Sequence, residues 1–296
     1  MTAFLTILRP ANALMAVLAV FVGGLITMQA TAFSSLSLGL ALLAAFLITG
    51  AGNVINDYVD IEADKINKPK RPIPSGRISP KGALTYAITL FLVGIALASQ
   101  VNLVVLLIAV INSLVLIGYA ITLKQRALVG HLAVSYLVGS TFLFGGAVAG
   151  NLKLTLILAL LAGLANFSRE IIKALEDVEG DRAHFLKRMV KKVRKEIASR
   201  FKLKGDKVEL TYGKRVHLTL ATLSLLLAIL ISLIPLLLHI LNESYLIPVM
   251  LADVVFIAAM IRFLRAKKPK DYRKASKWIK YGMFLGLIAF IVGALV

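Results

Sequence analysis

LSLGLALLAAFLITGAGNVINDYVDIEADKINKPKRPIPSGR, residues 36–77, changes character midway. From 36 to 57 it is an apolar run close to the roughly 20 residues that cross about 30 Å of hydrocarbon as a helix. Asn56, Asp57, Asp60 and Asp64 then leave the run, and Lys68, Lys70, Arg71 and Arg77 follow. An oily helix that ends in acids, which are in turn followed by cations, predicts a membrane span with a charged site at one mouth.

The rest of the chain extends this pattern. It has 296 residues and 59% hydrophobic positions, and only 17% are charged, below the roughly 25% of a soluble domain. Nine spans are predicted at about 10–30, 36–57, 82–99, 102–122, 129–149, 154–173, 215–237, 244–264 and 277–296. The fold class is therefore all-α, a polytopic membrane protein expected to form a single domain over 1–296. The first run follows Arg9 and Pro10 without a small-residue cleavage site, so it is expected to be retained.

Loops near 31–35, 100–101, 150–153 and 238–243 are nearly free of cations, whereas those near 58–81, 123–128, 174–214 and 265–276 are rich in Lys and Arg. The two kinds alternate without exception. The positive-inside rule then places the N-terminus and the basic loops in the cytoplasm, and the C-terminus outside. The net charge of +19 is thus a property of loops at a membrane face, and no nucleic-acid partner is expected. Within the loop at about 182–214, Phe185, Met189, Val193 and Ile197 recur at helical spacing among cations, which predicts a basic amphipathic helix on anionic lipid. There is no cysteine, which excludes disulfides, thiolate nucleophiles and cysteine metal sites. His131, His184, His217 and His239 are scattered and form no triad.

On a helix, positions i, i+4 and i+8 stay within an arc of about 80° and climb about 12 Å. Asn56, Asp60 and Asp64 therefore share a face, with Asp57 beside it. Span six carries an echo, with Lys173, Asp177 and Asp181 at the same spacing. Clustered carboxylates repel one another unless something positive compensates. One solution is an ion-pair network. The other is Mg²⁺, a hard cation that takes oxygen ligands and completes its shell with phosphate oxygens. The nearby cations suit a phosphate ligand: Arg71 and Arg77 in the Pro-stiffened KPKRPIPSGR turn, Lys124 at the mouth of span four, and Arg169 and Lys173 before the second cluster.

NDYVDIEAD followed by NKPKRPIPSGR, with EDVEGD much later, resembles the UbiA superfamily of intramembrane prenyltransferases over nearly the whole chain. The resemblance implies an all-α enzyme that moves an isoprenyl group from an allylic diphosphate to an acceptor with Mg²⁺. It implies metal contact by Asn56, Asp60, Asp64, Asp177 and Asp181, with the four aspartates catalytic. It also implies diphosphate contact by Arg71 or Arg77 and by Lys124. RPANALMA is similar to the family's first helix and implies that Asn12 faces the cavity. The two motifs look most like the archaeal ether-lipid branch, which joins geranylgeranyl diphosphate to geranylgeranylglyceryl phosphate. Chlorophyll synthases carry a similar first motif, so an aromatic-type acceptor is the alternative. The chain departs from the pattern at Ala174, where an acid is expected, and at VELTYG, where LPxxYG is expected.

The chemistry agrees with this resemblance. Metal and cations stabilise charge on a leaving diphosphate, and a dry pocket protects the allylic cation from water. Tyr58, Tyr119, Phe142 and Phe167 are candidates to face that cation. A transporter would not need two acid clusters at one membrane face, and a prenyl-lipid binding scaffold would release no diphosphate.

Overall fold

The computed structural model describes residues 3–150, 152–193 and 205–295, with side chains for 3–176 and 214–295 except 30, 33, 127 and 151. The helices are α1 (Ala3–Ile7), α2 (Pro10–Met28), α3 (Leu36–Val59), α4 (Ile61–Asn67), α5 (Pro80–Ser99), α6 (Leu103–Ile121), α7 (Ala127–Val148), α8 (Lys153–Val193), α9 (Gly205–Ser232), α10 (Ile234–Leu237), α11 (Leu246–Leu264) and α12 (Pro269–Leu295). Among the described residues there is no strand, and nine helical segments are long and apolar enough to cross a membrane. The protein is an all-α, multi-pass membrane protein. Helices solve the bilayer problem because every backbone N–H and C=O is satisfied within the segment.

The chain divides into two compact units. The first comprises Met1–Gly163, Pro235–Tyr245 and Phe290–Val296. Its centre is α3, which packs on α2, α5, α6 and α7. Ala41, Ala44, Ile48, Ala51 and Val54 of α3 are buried with Ala83, Ala87, Leu90 and Phe91 of α5 and with Val105 and Ala109 of α6. Lipid tails are as apolar as leucine, so helices in a bilayer gain by close packing of small side chains rather than by escape from water. The α2–α7 crossing shows this most sharply. A Cβ on Gly145 would lie 2.8 Å from the Gly24 nitrogen and 2.9 Å from the Val20 carbonyl carbon.

The second unit comprises Leu164–Ile234 and Leu246–Ala289. Its core joins Ile171, Ile172 and Leu175 of α8, Ala221 and Leu225 of α9, Phe256 and Phe263 of α11, and Tyr272, Ala275 and Ile279 of α12.

Eight predicted spans match observed helices to within a few residues. The ninth starts at Pro269 rather than 277. Its first turns carry five exposed cations, which made them read as loop, yet Tyr272, Ala275, Ser276 and Ile279 are buried at helical spacing. Pro269 opens the helix with its fixed φ. The Asp271 carboxylate accepts from the Lys268 nitrogen at 3.0 Å and the Lys267 nitrogen at 3.2 Å. Span six also continues beyond 173, because α8 stays helical to Val193. Of the expected amphipathic face, Ile197 and the side chains of Phe185, Met189 and Val193 lie outside the described residues.

The packing makes a prediction about glycine. Gly145→Ala forces a methyl into the α2 backbone and should destabilise the protein by about 1–3 kcal/mol, the usual cost of overpacking. Gly39→Ala, where nothing lies within 4 Å of the added carbon, should be neutral or slightly stabilising. Thermal melts in detergent check both variants, and equal melting temperatures would contradict the close crossing.

Candidate active site

The first motif sits where α3 ends. Sequence spacing predicts one continuous helix through Asn56, Asp60 and Asp64, whereas the structure breaks it at Asp60, between α3 and α4. The hydrogen-bond register nevertheless survives the break. The Asp60 nitrogen donates to the Asn56 carbonyl at 3.1 Å and the Asp64 nitrogen to the Asp60 carbonyl at 2.8 Å. The three side chains therefore keep roughly the order predicted for them.

Each acid of this motif meets a cation. Lys124 Nζ donates to Asp60 Oδ1 at 2.5 Å. Arg71 Nη1 donates to Asp57 Oδ1 at 3.0 Å and also to Asp64 Oδ2. Arg9 Nη2 closes on the same Asp57 oxygen. Asp57 is the deepest of the three acids, its side chain 4% exposed against 7% for Asp64 and 30% for Asp60. The carboxylates that would repel one another are thus compensated one for one by Arg9, Arg71 and Lys124. Charge-assisted bonds of this kind are stronger than neutral ones and fix geometry, above all where a guanidinium supplies the donors.

Local structure places each cation. Leu8 packs where a Cβ on Gly50 would sit 2.7 Å from its Cδ2, and Asn53 Nδ2 donates to the Leu8 carbonyl at 2.9 Å. Gly50, Asn53 and Asp57 lie at i, i+3 and i+7 on one face of α3. That face therefore grips the turn before α2 and delivers Arg9 to Asp57. Arg9 adopts a left-handed backbone, φ 51°, an uncommon conformation for a non-glycine residue that surrounding contacts must hold.

Arg71 is held by the RPIPSGR turn. Pro72, Ile73 and Ile78 are buried, and the Ile78 nitrogen donates to the Pro72 carbonyl at 3.1 Å. Gly76 supplies the positive φ, 74°, that reverses the chain. Arg77 braces this turn, with Nη2 donating to the Lys70 carbonyl at 2.7 Å and Nε to Ser75 Oγ at 3.0 Å. Ser79 caps α5 through the Gly82 nitrogen at 3.1 Å. Lys124 sits on the short turn Leu123–Gln125. Gly130 lets α7 pass close, since a Cβ there would lie 2.9 Å from the Leu123 carbonyl oxygen.

The remaining predicted residues are placed less tightly. Asn12 is exposed on the first turn of α2, and Tyr119 is half-buried on α6. Tyr58 packs against the first unit's core, and Phe142 of the same unit is buried. Phe167 packs on the second unit's core. Within the second unit, Arg169 Nη1 donates to Glu170 Oε1 at 2.7 Å, and Lys173 Nζ lies 3.8 Å from Glu170 Oε2. Arg273 Nε donates to Glu176 Oε1 at 2.5 Å. The backbones of Asp177 and Asp181 lie one turn apart on α8, but their side chains lie outside the described residues.

The donor set fits a hard cation in one specific respect. Oδ1 of Asn56 is buried, and among the described residues it accepts no hydrogen bond. A buried acceptor left open is costly, and a metal ion bound at that position would satisfy it. Among the described residues no three acidic or histidine side chains form a ready cage. That is compatible with Mg²⁺, which is bound by one or two carboxylates together with waters and substrate phosphates.

Comparison with known proteins decides the family. The UbiA prenyltransferase family model matches residues 16–288. The chain belongs to the UbiA prenyltransferase family. It is 40% identical to a digeranylgeranylglyceryl phosphate synthase of Methanothrix thermoacetophila, covering 98% of both chains. It is also 40% identical to the corresponding Methanopyrus kandleri protein over the full length of both. A solved digeranylgeranylglyceryl phosphate synthase structure superposes with a TM-score of 0.82 at 36% identity, covering 99% of this chain and 98% of that one. A UbiA homologue of Archaeoglobus fulgidus bound to GPP and Mg²⁺ shares the fold, with TM-score 0.63, 16% identity, and 97% and 99% of the chains covered.

For this UbiA-family chain, sequence reasoning missed Arg9, Glu170 and the central role of Asp57. Asp57 lies beside the i, i+4, i+8 face, and its spacing carries no sign that two arginines converge on it. Arg9 is invisible without the contact that folds the start of the chain onto α3. The available signal was an arginine just before the proline that opens a span.

The network predicts a cost for its hub. Asp57→Ala leaves Arg9 and Arg71 facing one another. It should destabilise the protein by about 2 kcal/mol, below the 3–5 of a fully buried pair because both guanidinium groups are partly solvated. Asp60→Ala, at the most exposed acid, should cost less than half of that. Detergent melts measure the order, and Asp60→Ala proving the costlier change would contradict it.

Proposed function

We propose that this prenyltransferase transfers the geranylgeranyl group of geranylgeranyl diphosphate to geranylgeranylglyceryl phosphate, in archaeal ether-lipid synthesis. The observation that carries the reading is an oxygen-rich, cation-lined site at the end of an apolar helix. The full-length similarity to digeranylgeranylglyceryl phosphate synthases supports this acceptor over an aromatic one.

In the reaction the allylic C–O bond breaks and diphosphate leaves with the electron pair. The glycerol hydroxyl oxygen then bonds to the allylic carbon, and one proton is released. Asn56, Asp60 and Asp64 would hold Mg²⁺, which supplies charge stabilisation for the departing diphosphate when bound; the family resemblance implies Asp177 and Asp181 as further metal ligands. In the first unit Lys124 and Arg71, with Arg77, would contribute cationic donors on the substrate side; Arg169 and Lys173 of the second unit are candidates for the diphosphate from the sequence. Lys124 exchanges Asp60 for a phosphate oxygen without leaving its place. Asn12 and Tyr119 would contact the isoprenyl chain, which stays in the apolar phase and keeps the allylic cation from water. Asp57 stays with Arg9 and Arg71, so the site keeps its shape as charge arrives.

Purified protein with geranylgeranyl diphosphate, Mg²⁺ and a panel of acceptors, read by mass spectrometry, tests the function. Geranylgeranylglyceryl phosphate should be prenylated, and 4-hydroxybenzoate should not. EDTA should abolish turnover and Mg²⁺ restore it. Asp60→Ala and Asp177→Ala should each lower kcat by about 10²-fold or more, the scale of losing transition-state charge stabilisation. Turnover of the aromatic acid alone, or full activity in EDTA, would overturn the reading.

The same reading places the acid clusters and the N-terminus in the cytoplasm and the C-terminus outside, from the alternation of basic and cation-poor loops. Single cysteines replacing Lys70 and Asn242 in this cysteine-free chain report it. In right-side-out vesicles an impermeant maleimide should label position 242 and spare position 70. Labelling at 70 would invert the topology.

A further inference from the structure

A cavity of about 480 Å³ opens beside the first motif and is lined by Thr6, Arg9, Asp57 and the 67–72 turn. The metal-side residues Asn56, Asp60, Asp64 and Lys124 are absent from its lining. Its charged walls are Arg9, Lys68, Lys70 and Arg71 against one carboxylate, Asp57. A chamber with four cations to one acid suits an anion. The diphosphate reading draws on Lys124, Arg71 and Arg77, and leaves Arg9, Lys68 and Lys70 of this chamber without a role.

The chamber is built rather than incidental. Asp57, 4% exposed, holds both guanidinium groups at its back. Arg9 is kept in a left-handed backbone by the α3 grip on Leu8. Pro69 and Pro72 stiffen the turn that presents Lys68 and Lys70. Guanidinium forks with flexible ammonium groups around them match a phosphate with several free oxygens.

We propose that this cavity binds the phosphate monoester of the acceptor lipid, separately from the allylic diphosphate. Arg9, Lys68 and Lys70 would hold the phosphate and thereby select phosphorylated over unphosphorylated acceptors. The proposal rests on the ether-lipid reading of the acceptor.

The test compares the parent with Lys68→Ser/Lys70→Ser, whose changes fall on exposed side chains of the turn. Lys81→Ser, an exposed cation outside the cavity, is the control. In steady state the double variant should raise KM for geranylgeranylglyceryl phosphate by about tenfold or more, the loss of one charge-assisted contact. KM for geranylgeranyl diphosphate and kcat should stay within about twofold, and Lys81→Ser should match the parent. The parent's preference for geranylgeranylglyceryl phosphate over geranylgeranylglycerol should shrink by the same factor. A rise confined to the diphosphate KM, or shared equally by both substrates, would overturn the assignment, as would no change in either.

Equilibrium binding to the full chain in nanodiscs without metal or donor separates this proposal from the function it rests on. The parent should bind geranylgeranylglyceryl phosphate more tightly than geranylgeranylglycerol, and the double variant should lose that difference. Inorganic phosphate at the same concentration should compete weakly, because it lacks the lipid anchor. Should turnover prove to use an aromatic acceptor, a binding difference that vanishes in the variant would still support the cavity assignment. Equal binding of the two lipids by the parent would overturn it.

Discussion

Arg71 bridges Asp57 and Asp64, and Arg9 closes on Asp57 from the other side. This arrangement lets an apolar helix end in a cluster of acids. Without it, carboxylates on neighbouring turns would repel one another in a medium far less polarisable than water. The structural features around the site follow from that need. Gly50 and Asn53 bring the start of the chain to α3 so that Arg9 arrives. The buried Pro72–Ile73 corner and Gly76 fold the following turn back so that Arg71 arrives. Lys124 comes from the far end of α6 to meet the remaining acid, Asp60.

Such a network suits the proposed prenyl-transfer site, which must receive a diphosphate, because it is easily re-partnered. Asp60 is the most exposed of the three acids and, among the described residues, pairs with Lys124 alone, so it can change partners at the least cost. Asp57 is nearly inaccessible and held by two arginines, so it can act as a fixed point. The open acceptor on Asn56 lies one turn before Asp60, where an oxygen-seeking cation would complete the set.

Much of this was legible in the sequence. Apolar runs of spanning length and the alternation of cation-rich and cation-poor loops locate eight spans within a few residues, because burial in lipid leaves composition little freedom. The ninth span was misjudged at its start, since Lys270, Arg273, Lys274, Lys277 and Lys280 hide the buried stripe of Tyr272, Ala275 and Ile279. The acids of the first motif were legible from helical spacing. Their ion-pair partners were not, since Arg9 and Asp57 are 48 positions apart in sequence and only folding joins them. Arg77 was expected as a diphosphate contact, and its bonds to the Lys70 carbonyl and Ser75 Oγ, which brace the turn, were not legible. Asp177 and Asp181 were expected from an echo of the first motif; their backbone is helical, and their side chains lie outside the described residues.

The account's central claim is that Lys124 leaves Asp60 for the diphosphate when substrate binds and that a metal ion takes its place at Asp60, while Arg9 and Arg71 stay on Asp57. A structure of the protein with Mg²⁺ and a thiolo analogue of geranylgeranyl diphosphate tests this directly. The account predicts metal density at Asn56 and Asp60, Lys124 moved from Asp60 to a diphosphate oxygen, and Asp57 still bound to Arg9 and Arg71. A bound diphosphate with Lys124 still on Asp60 and no metal at Asn56 would contradict it.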